Sequence, residues 1–311
     1  MSLNESAELV ITPEELARRW EGPVSEALAQ RVRETNLRYH LLDQSARDEW
    51  LLKIFNAIVD PPVRAGAHRQ EQWEKGWGEN LEELSRSARP EAVIPRYFGK
   101  HEVVRWAGDL IRPLSPDFEY HILSFLVQWM MENFLADAGE IFEFGCGPGY
   151  HLLRARSLFP DKPLHGADWT QASQNIIRKM GEAGIVQNLH GHNFDFLNPD
   201  PNLPLSNDSA VYSVAALEQI GDQHESLIQF LLAKKPRICV HIEPIDEALD
   251  ESRFLDRLSC VYARNRNYLK GYLPRLRELE SEGRVRIHAV RRTWTGSLFI
   301  EGHSLIVWSP V

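Results

Sequence analysis

Cysteine is scarce in this sequence of 311 residues, which contains Cys146, Cys239 and Cys260 and no others. Three widely spaced cysteines cannot form a disulfide framework, and they lack the paired spacing of a zinc site. We therefore predict no metal centre and a reducing compartment, the cytoplasm.

Long apolar runs are also missing, and none approaches the roughly 18 residues that a membrane-spanning helix needs. The first residues, MSLNESAELVITPEEL, are polar and acidic, unlike a signal peptide. Positive charge is in deficit, because 35 lysines and arginines face 44 acids for a net charge of −9. We predict neither a membrane nor a long nucleic acid as partner, since phosphate binding requires clustered Lys and Arg.

The composition is that of an ordinary globular protein, 43% hydrophobic and 25% charged. The first third of the chain has frequent helix signals and few strand signals, such as the helix start at Thr12-Pro13 and helical spacing over residues 48–58. Trp73 and Trp77 lie among charges there, where aromatic rings either line a pocket or pack against a neighbouring domain. We predict that residues 1–114 form an N-terminal helical cap that gates substrate binding.

Residues 115–311 alternate short apolar strands with helices, which is typical of a parallel sheet covered on both faces. A long amphipathic helix is expected over residues 117–135, and a helical insert over about residues 245–282. Strands are predicted at residues 140–144, 163–167, 185–189, 210–214, 237–241, 285–290 and 305–308. No helix separates the last two, so at least one of them should pair antiparallel. The predicted fold class is α/β, with a Rossmann-like, seven-stranded, mostly parallel sheet.

The strand at residues 140–144 runs directly into a glycine-rich turn, Gly145-Cys146-Gly147-Pro148-Gly149, and a helix follows. Glycine lets the backbone turn tightly and approach a ligand, and the helix N-terminus offers free N–H groups. In the dinucleotide fingerprint the third glycine comes one residue later. Glu143, two residues before the first glycine, would repel a pyrophosphate but suits an ammonium group.

This segment resembles the first motif of class I S-adenosylmethionine-dependent methyltransferases. The resemblance implies S-adenosylmethionine as cofactor, with its methionine part wrapped by Glu143, Phe144, Gly145, Cys146, Gly147 and Gly149. Asp168, 19 residues beyond Gly149 at the end of the second strand, matches the acid that accepts hydrogen bonds from the ribose hydroxyls. Trp169 matches the residue that packs against adenine. Alternatively, Asp168 caps the helix that follows.

Two looser segments continue the resemblance. Asn193, Phe194 and Asp195 follow the third strand, where the family contacts adenine, although a plain loop role stays open. The segment at residues 211–220 resembles the fourth motif and implies that Ala215 contacts the cofactor. Gln219 stands where the family often has His, and a glutamine cannot act as a general base. Proton transfer is therefore unnecessary or uses another group.

Side chains after the fourth and fifth strands lie where open α/β sheets bind ligands. The candidate catalytic residues there are Glu218, Gln219 and Glu243. Basic and aromatic side chains elsewhere could hold an acidic acceptor such as a carboxylate or phosphate, unless they form solvated helix faces. The candidate substrate residues are Tyr97, Arg105, Arg266 and Tyr268.

The resemblance implies transfer of a methyl group to a small-molecule acceptor by in-line displacement. The same fold can direct another carbon of the sulfonium, through aminopropyl transfer or a ring closure that releases methylthioadenosine. A non-catalytic cofactor-binding scaffold is a second alternative, and a nicotinamide-dependent dehydrogenase is disfavoured by the glycine spacing. The acceptor atom (oxygen, nitrogen or carbon) and the oligomeric state, including a homodimer, stay open.

Overall fold

A computed structural model describes residues 7–311, which form a larger and a smaller β-sheet surrounded by helices. The strands are β1 (Glu8–Val10), β2 (Arg38–Leu41), β3 (Val104–Trp106), β4 (Asp109–Pro113), β5 (Glu140–Phe144), β6 (Leu164–Asp168), β7 (Leu189–Asn193), β8 (Ser209–Val214), β9 (Ile238–Glu243), β10 (Val285–Arg291), β11 (Thr295–Gly296) and β12 (Ser304–Pro310). The α-helices are α1 (Pro13–Arg19), α2 (Glu26–Glu34), α3 (Gln44–Val59), α4 (Gln70–Ser87), α5 (Phe118–Phe134), α6 (Tyr150–Leu158), α7 (Gln171–Glu182), α8 (Glu225–Lys234), α9 (Phe254–Arg266) and α10 (Tyr272–Ser281). Short 3-10 helices cover Ala67–Arg69, Pro90–Val93, Leu217–Ile220 and Asp246–Ala248.

The main sheet has seven strands in the order β10-β12-β9-β8-β5-β6-β7. Its strands from β5 to β9 pair in parallel, whereas β12 pairs antiparallel with both β9 and β10. The strand order reverses around β5, so the carboxyl ends of β5 and β8 form the switch point where such sheets bind ligands. The predicted fold class and the antiparallel tail are confirmed.

Alternate residues of the main strands enter two apolar clusters, because successive side chains of a strand point to opposite faces. Ile141 of β5 and Tyr212 of β8 belong to the first cluster, together with most of α5. Phe142 and Val211, their direct neighbours, belong to the second cluster with α8 and α10. Both faces of the sheet are therefore covered, as the alternation of strands and helices predicts.

The third parallel strand along the chain, β7, begins later in the sequence than predicted. Ile185 and Val186 terminate α7 through backbone hydrogen bonds to the Met180 carbonyl, and Val186 is buried. The strand β7 then runs through the more polar residues 189–193, three of which are exposed because β7 is an edge strand. The apolar pair was therefore the end of a helix, and the prediction of a strand at residues 185–189 was wrong by register.

The N-terminal region is not purely helical. Four of its short strands join β11 from the tail in a five-stranded antiparallel sheet of order β1-β2-β4-β3-β11. The hairpin β3–β4 turns at Ala107 and Gly108, whose φ values of 58° and 81° fit a type I′ turn. Strands of three to five residues around an alanine turn carry too little alternation to stand out in the sequence.

The segments on either side of the predicted boundary at residues 114 and 115 share one core. Leu16, Trp20 and Leu28 lie in the same apolar cluster as Phe118 and Trp129 of α5. The division into two domains stays a prediction. No α-helix within residues 7–311 combines the length and apolar character of a membrane span, and residues 1–6, part of the segment compared with a signal peptide, lie outside the described residues.

Candidate functional site

A cleft with about 550 Å³ of empty space lies at the carboxyl ends of β5, β6 and β8. Its walls come from the loops that follow these strands and from one helix of the N-terminal region. Seven predicted cofactor residues line it: Gly145, Gly147, Asp168, Trp169, Phe194, Asp195 and Ala215. The other lining residues are Trp73, Trp77, Phe196, Ala216, Gln219 and Ile220.

Two glycines of the motif shape the floor of the cleft. Gly145 has φ +69°, and a Cβ there would lie 2.4 Å from the Cβ of Ala216. Gly147 has φ +50°, and its Cβ would lie 2.9 Å from the indole of Trp77. Both backbone positions therefore exclude side chains, which lets Ala216 and Trp77 pack directly against the glycine loop.

The third glycine and Cys146 do not line the cleft. A Cβ on Gly149 would lie 2.8 Å from Ile177 of α7, so this glycine permits close packing between helices. Cys146 is buried beside Gly166. All three cysteines are free and buried, and within residues 7–311 no group of three or more His, Cys, Asp and Glu side chains is arranged to hold a metal ion.

Asp168 joins the glycine loop to α7. Its Oδ2 accepts a hydrogen bond from Gly147 N at 2.9 Å, and its Oδ1 accepts from Thr170 N at 2.9 Å and Thr170 Oγ1 at 2.7 Å. Burial raises the pKa of this carboxyl, and the Thr170 and Gly147 hydrogen bonds oppose that rise. A carboxylate offers about four acceptor positions, so about one remains for a ligand hydroxyl. The cap of α7 is Thr170, which accepts from Ser173 N, so the idea that Asp168 is the helix cap was wrong.

Glu143 and Phe144 contact the core rather than the cleft. The Glu143 carboxylate is 2% exposed and accepts a hydrogen bond from the Tyr212 hydroxyl at 2.9 Å. Burial raises its pKa well above the ordinary value, and the charge of Asp168 raises it further. Phe144 packs on Phe194, with ring centroids 4.4 Å apart.

Of the three residues predicted around adenine, two line the cleft. Phe194 is buried there, and Asp195 accepts hydrogen bonds from Leu197 N and Asn198 Nδ2. Asn193 is exposed at the end of the edge strand β7 and does not line the cleft.

Helix α4 lies across the open side of the cleft and is held there by polar contacts. Glu74 accepts hydrogen bonds from the first N–H groups of α7, Gln171 N at 2.8 Å and Ala172 N at 2.9 Å. Gln70 donates to the Trp169 carbonyl at 3.1 Å. The indoles of Trp73 and Trp77 stack at 5.3 Å over the glycine loop. Of these contacts the sequence hinted only at the two tryptophans, spaced one helical turn apart.

The 3-10 helix Leu217–Ile220 carries the candidate catalytic residues Glu218 and Gln219. Gln219, which lines the cleft, donates to Glu218 Oε1 at 2.8 Å and accepts at 2.8 Å from Arg69, a neighbour that sequence reasoning missed. Burial, together with the charge of Glu243, raises the pKa of Glu218 to about 8. A carboxyl with a pKa near neutrality is suited to exchange a proton with a ligand.

Glu243 does not reach the cleft, which corrects its assignment as a catalytic candidate. Its carboxylate is fully buried and accepts hydrogen bonds from Ser213 Oγ and from the backbone N–H groups of residues 216–218. Burial raises its pKa to about 7. Glu243 therefore holds the 3-10 helix that presents Glu218 and Gln219.

Arg105 is the second correction. Its guanidinium is buried and donates to the carbonyls of Leu255, Leu298 and Phe299. These bonds connect β3 to α9 and to the segment before β12, and Arg105 does not line the cleft. The sequence could not reveal this, because the carbonyls are about 150 or more residues away along the chain.

The other three substrate candidates surround Glu218. Tyr97 is 41% exposed as a residue, but its hydroxyl is buried, and burial raises the pKa of that hydroxyl. A hydrogen bond with Tyr150 lowers this pKa, and the charge of Glu218 raises it. Burial raises the pKa of Tyr268, and the charge of Glu218 raises it further. Arg266 donates to the Tyr268 hydroxyl at 3.4 Å. None of the three is among the residues that line the cleft.

No protein family model matches the chain, and no curated protein matches its sequence. Solved structures resemble its fold. A geranyl diphosphate C-methyltransferase from Streptomyces coelicolor, with geranyl diphosphate and S-adenosylhomocysteine, is 14% identical over 75% of this chain and 98% of its own, with a TM-score of 0.45. A magnesium protoporphyrin IX methyltransferase from Synechocystis with S-adenosylhomocysteine is 12% identical over 61% and 82%, with a TM-score of 0.44.

An O-methyltransferase from neocarzinostatin biosynthesis, bound to S-adenosylmethionine and a naphthoic acid, is 14% identical over 78% of this chain and 70% of its own, with a TM-score of 0.43. Each similarity concerns the fold alone. The class I methyltransferase resemblance is confirmed at that level by the strand order and the glycine loop of this chain.

Proposed function

We propose that this protein binds S-adenosylmethionine in the cleft and transfers its methyl group to a small-molecule acceptor. The observation that supports the proposal is a single cleft lined by the two glycines of the motif, Asp168 and a stacked pair of tryptophans: Gly145, Gly147, Asp168, Trp73 and Trp77. A concave site lined by aromatic rings and a few polar groups suits a small-molecule cofactor. In this proposal, residues 115–311 bind the cofactor, and α4, which belongs to residues 1–114, covers it.

The residues fit the parts of this cofactor. Asp168 retains an acceptor position for a ribose hydroxyl, and Trp169 offers a ring beside it. Trp73 and Trp77 line the cleft, and aromatic rings stabilise a nearby sulfonium cation. Glu143 is buried and bonded to Tyr212 outside the cleft, so its contact with the ammonium stays a prediction.

When bound, the cofactor supplies an electrophilic methyl group and a neutral thioether leaving group. The protein's part is to orient the acceptor and exclude water, as α4 does by covering the cleft. Glu218 is the proposed proton acceptor if the attacking atom carries a proton, and Gln219 orients that atom. Free, buried cysteines suit the proposed cytoplasmic setting.

Binding and turnover test the proposal directly. Isothermal titration should give a micromolar dissociation constant for S-adenosylhomocysteine, roughly −8 kcal/mol, and no binding of NAD. Incubation with methyl-labelled S-adenosylmethionine and a metabolite extract should place the label in a product and release S-adenosylhomocysteine. Methylthioadenosine would instead indicate aminopropyl transfer or ring closure, and NAD binding with silence toward both sulfur compounds would reject the cofactor.

The pH dependence should report Glu218. Because a general base must be ionised, kcat/KM should rise about tenfold per pH unit below pH 8 and level off above it. Glu218→Gln should remove this rise and slow turnover by about 10² or more. Glu225→Gln, at an exposed acid of α8, is the matched control and should keep the wild-type profile. A flat wild-type profile would exclude Glu218 as the base.

A further inference from the structure

Two buried arginines lie together beside the cleft, one from each part of the chain. Arg69 ends the 3-10 helix before α4 and is 8% exposed, whereas Arg266 ends α9 and is 7% exposed. Besides burial, the positive charge of Arg266 lowers the pKa of Arg69, so the two guanidinium groups are near enough to repel each other. We call Arg69 and Arg266 the arginine pair.

The arginine pair is bound to neutral groups. Arg69 donates to Gln72 Oε1 at 3.1 Å and Gln219 Oε1 at 2.8 Å, and its guanidinium lies over the Trp73 ring at 4.9 Å. Arg266 donates to the Val63 carbonyl and to the Tyr268 hydroxyl. Within residues 7–311, neither guanidinium has a carboxylate oxygen at ion-pair distance.

Unsatisfied donors remain at this place. Arg266 Nε is buried and finds no hydrogen-bond partner among the described residues, and the same holds for Trp73 Nε1. A buried donor without a partner costs free energy, and a buried charge without a counter-charge costs more. Since the unpartnered atoms are donors, the missing partner is an acceptor.

Glu218 is the acid whose charge acts on both members of the pair. Its pKa of about 8 keeps it mostly protonated at neutral pH, so it does not neutralise them. Two positive charges therefore stay largely uncompensated in a buried place. Arginine forks bind carboxylates and phosphates through paired hydrogen bonds, and such pairs are stronger than neutral ones.

We infer that the arginine pair binds a carboxylate of the methyl acceptor, an inference that rests on the proposed function. A carboxylate accepts the paired hydrogen bonds that a guanidinium fork donates. Arg69 contacts Gln219 and Trp73, and both of these line the cleft. A carboxylate held by the pair therefore places the rest of the acceptor beside Glu218 and Gln219, at the mouth of the cofactor cleft.

The aromatic residues at this place indicate the body of the acceptor. The Tyr268 ring stacks under the Arg266 guanidinium at 5.2 Å, and Tyr262 lies close enough for its pKa to respond to both arginines. Aromatic side chains next to the arginine pair suit an acceptor with a planar, apolar body. The acceptor class is therefore a small aromatic carboxylic acid.

The test compares acids with their neutral amides on the full-length protein saturated with S-adenosylhomocysteine. The probes are benzoate, phenylacetate and 4-hydroxybenzoate, each titrated beside its amide by isothermal calorimetry. We expect at least one acid to bind tenfold or more tightly than its amide, because a hydrogen bond to a charged group is stronger than one to a neutral group.

Arg69→Gln and Arg266→Gln should each reduce that preference about tenfold or more while S-adenosylhomocysteine still binds, which reports an intact fold. Arg266→Lys keeps the charge without the fork and should retain part of the preference. Arg264→Gln, at an exposed position of the same helix that pairs with Glu251, is the matched control and should keep the full preference.

Equal affinity for acids and amides in all three pairs would overturn the inference, as would a preference that survives both glutamine variants. If the wild type does not bind S-adenosylhomocysteine, the proposed function itself is overturned. Failure of the inference and failure of the proposed function therefore give different results.

Discussion

Replacing Asp168 by alanine should weaken S-adenosylhomocysteine binding by about 2 kcal/mol or more, roughly 30-fold. The carboxylate has two tasks that alanine cannot perform. It positions Gly147 N and the start of α7, and it offers an acceptor to a ligand hydroxyl in the cleft. Calorimetric titration of both proteins measures the difference.

Thr170→Val is the control for this experiment. It removes the hydroxyl that donates to Asp168 and accepts from Ser173 N but leaves the carboxylate in the cleft. Loss of this helix cap should lower stability by about 1 kcal/mol with a much smaller change in affinity. If Asp168→Ala lowers the melting temperature while its dissociation constant stays at the wild-type value, Asp168 supports the loops and does not bind the cofactor.

Removing residues 1–112 should destroy the fold. Leu16, Trp20 and Leu28 are completely buried in one apolar cluster with α5. Each such side chain contributes roughly 1.5–3 kcal/mol by burial, so losing these three alone removes an amount comparable to the roughly 5–15 kcal/mol stability of a typical protein. Two polar ties are lost as well, the pairing of β3 with β11 and the bond from Trp20 Nε1 to the Thr293 carbonyl.

The truncated chain should therefore be insoluble or lack a cooperative melting transition, measured by solubility on expression and by near-ultraviolet circular dichroism. Trp77→Ala separates the capping role of α4 from this structural role, because it removes one ring over the glycine loop and leaves the N-terminal core in place. That variant should fold but bind S-adenosylhomocysteine more weakly. A soluble, cooperatively folded chain from residue 113 onward would contradict the shared core and favour an independent cap.

Local signals account for what could be predicted around the cofactor. A strand, a glycine turn and a helix are adjacent in the chain, so Gly145 and Gly147 reveal their backbone role without any knowledge of distant contacts. Asp168 ends the next strand, and parallel strands bring their carboxyl ends to one edge. That geometry places both segments in one cleft, as the structure has it.

The acceptor side could not be predicted in the same way. Arg69 and Gln219 are 150 residues apart yet share a hydrogen bond, and Arg105 and Arg266 look alike in sequence although one binds backbone carbonyls and the other retains a free donor. Which donor is satisfied depends on every neighbour that packing delivers.

By itself, the sequence determined the strand and helix alternation, the glycine loop and Asp168, because periodicity and turn chemistry act over a few residues. The tertiary structure alone decided that α4 covers the cleft, that Glu243 supports a helix, and that β3 pairs with β11. Each of these depends on contacts between distant segments, whose free energy comes from burying surfaces that no short stretch of sequence specifies.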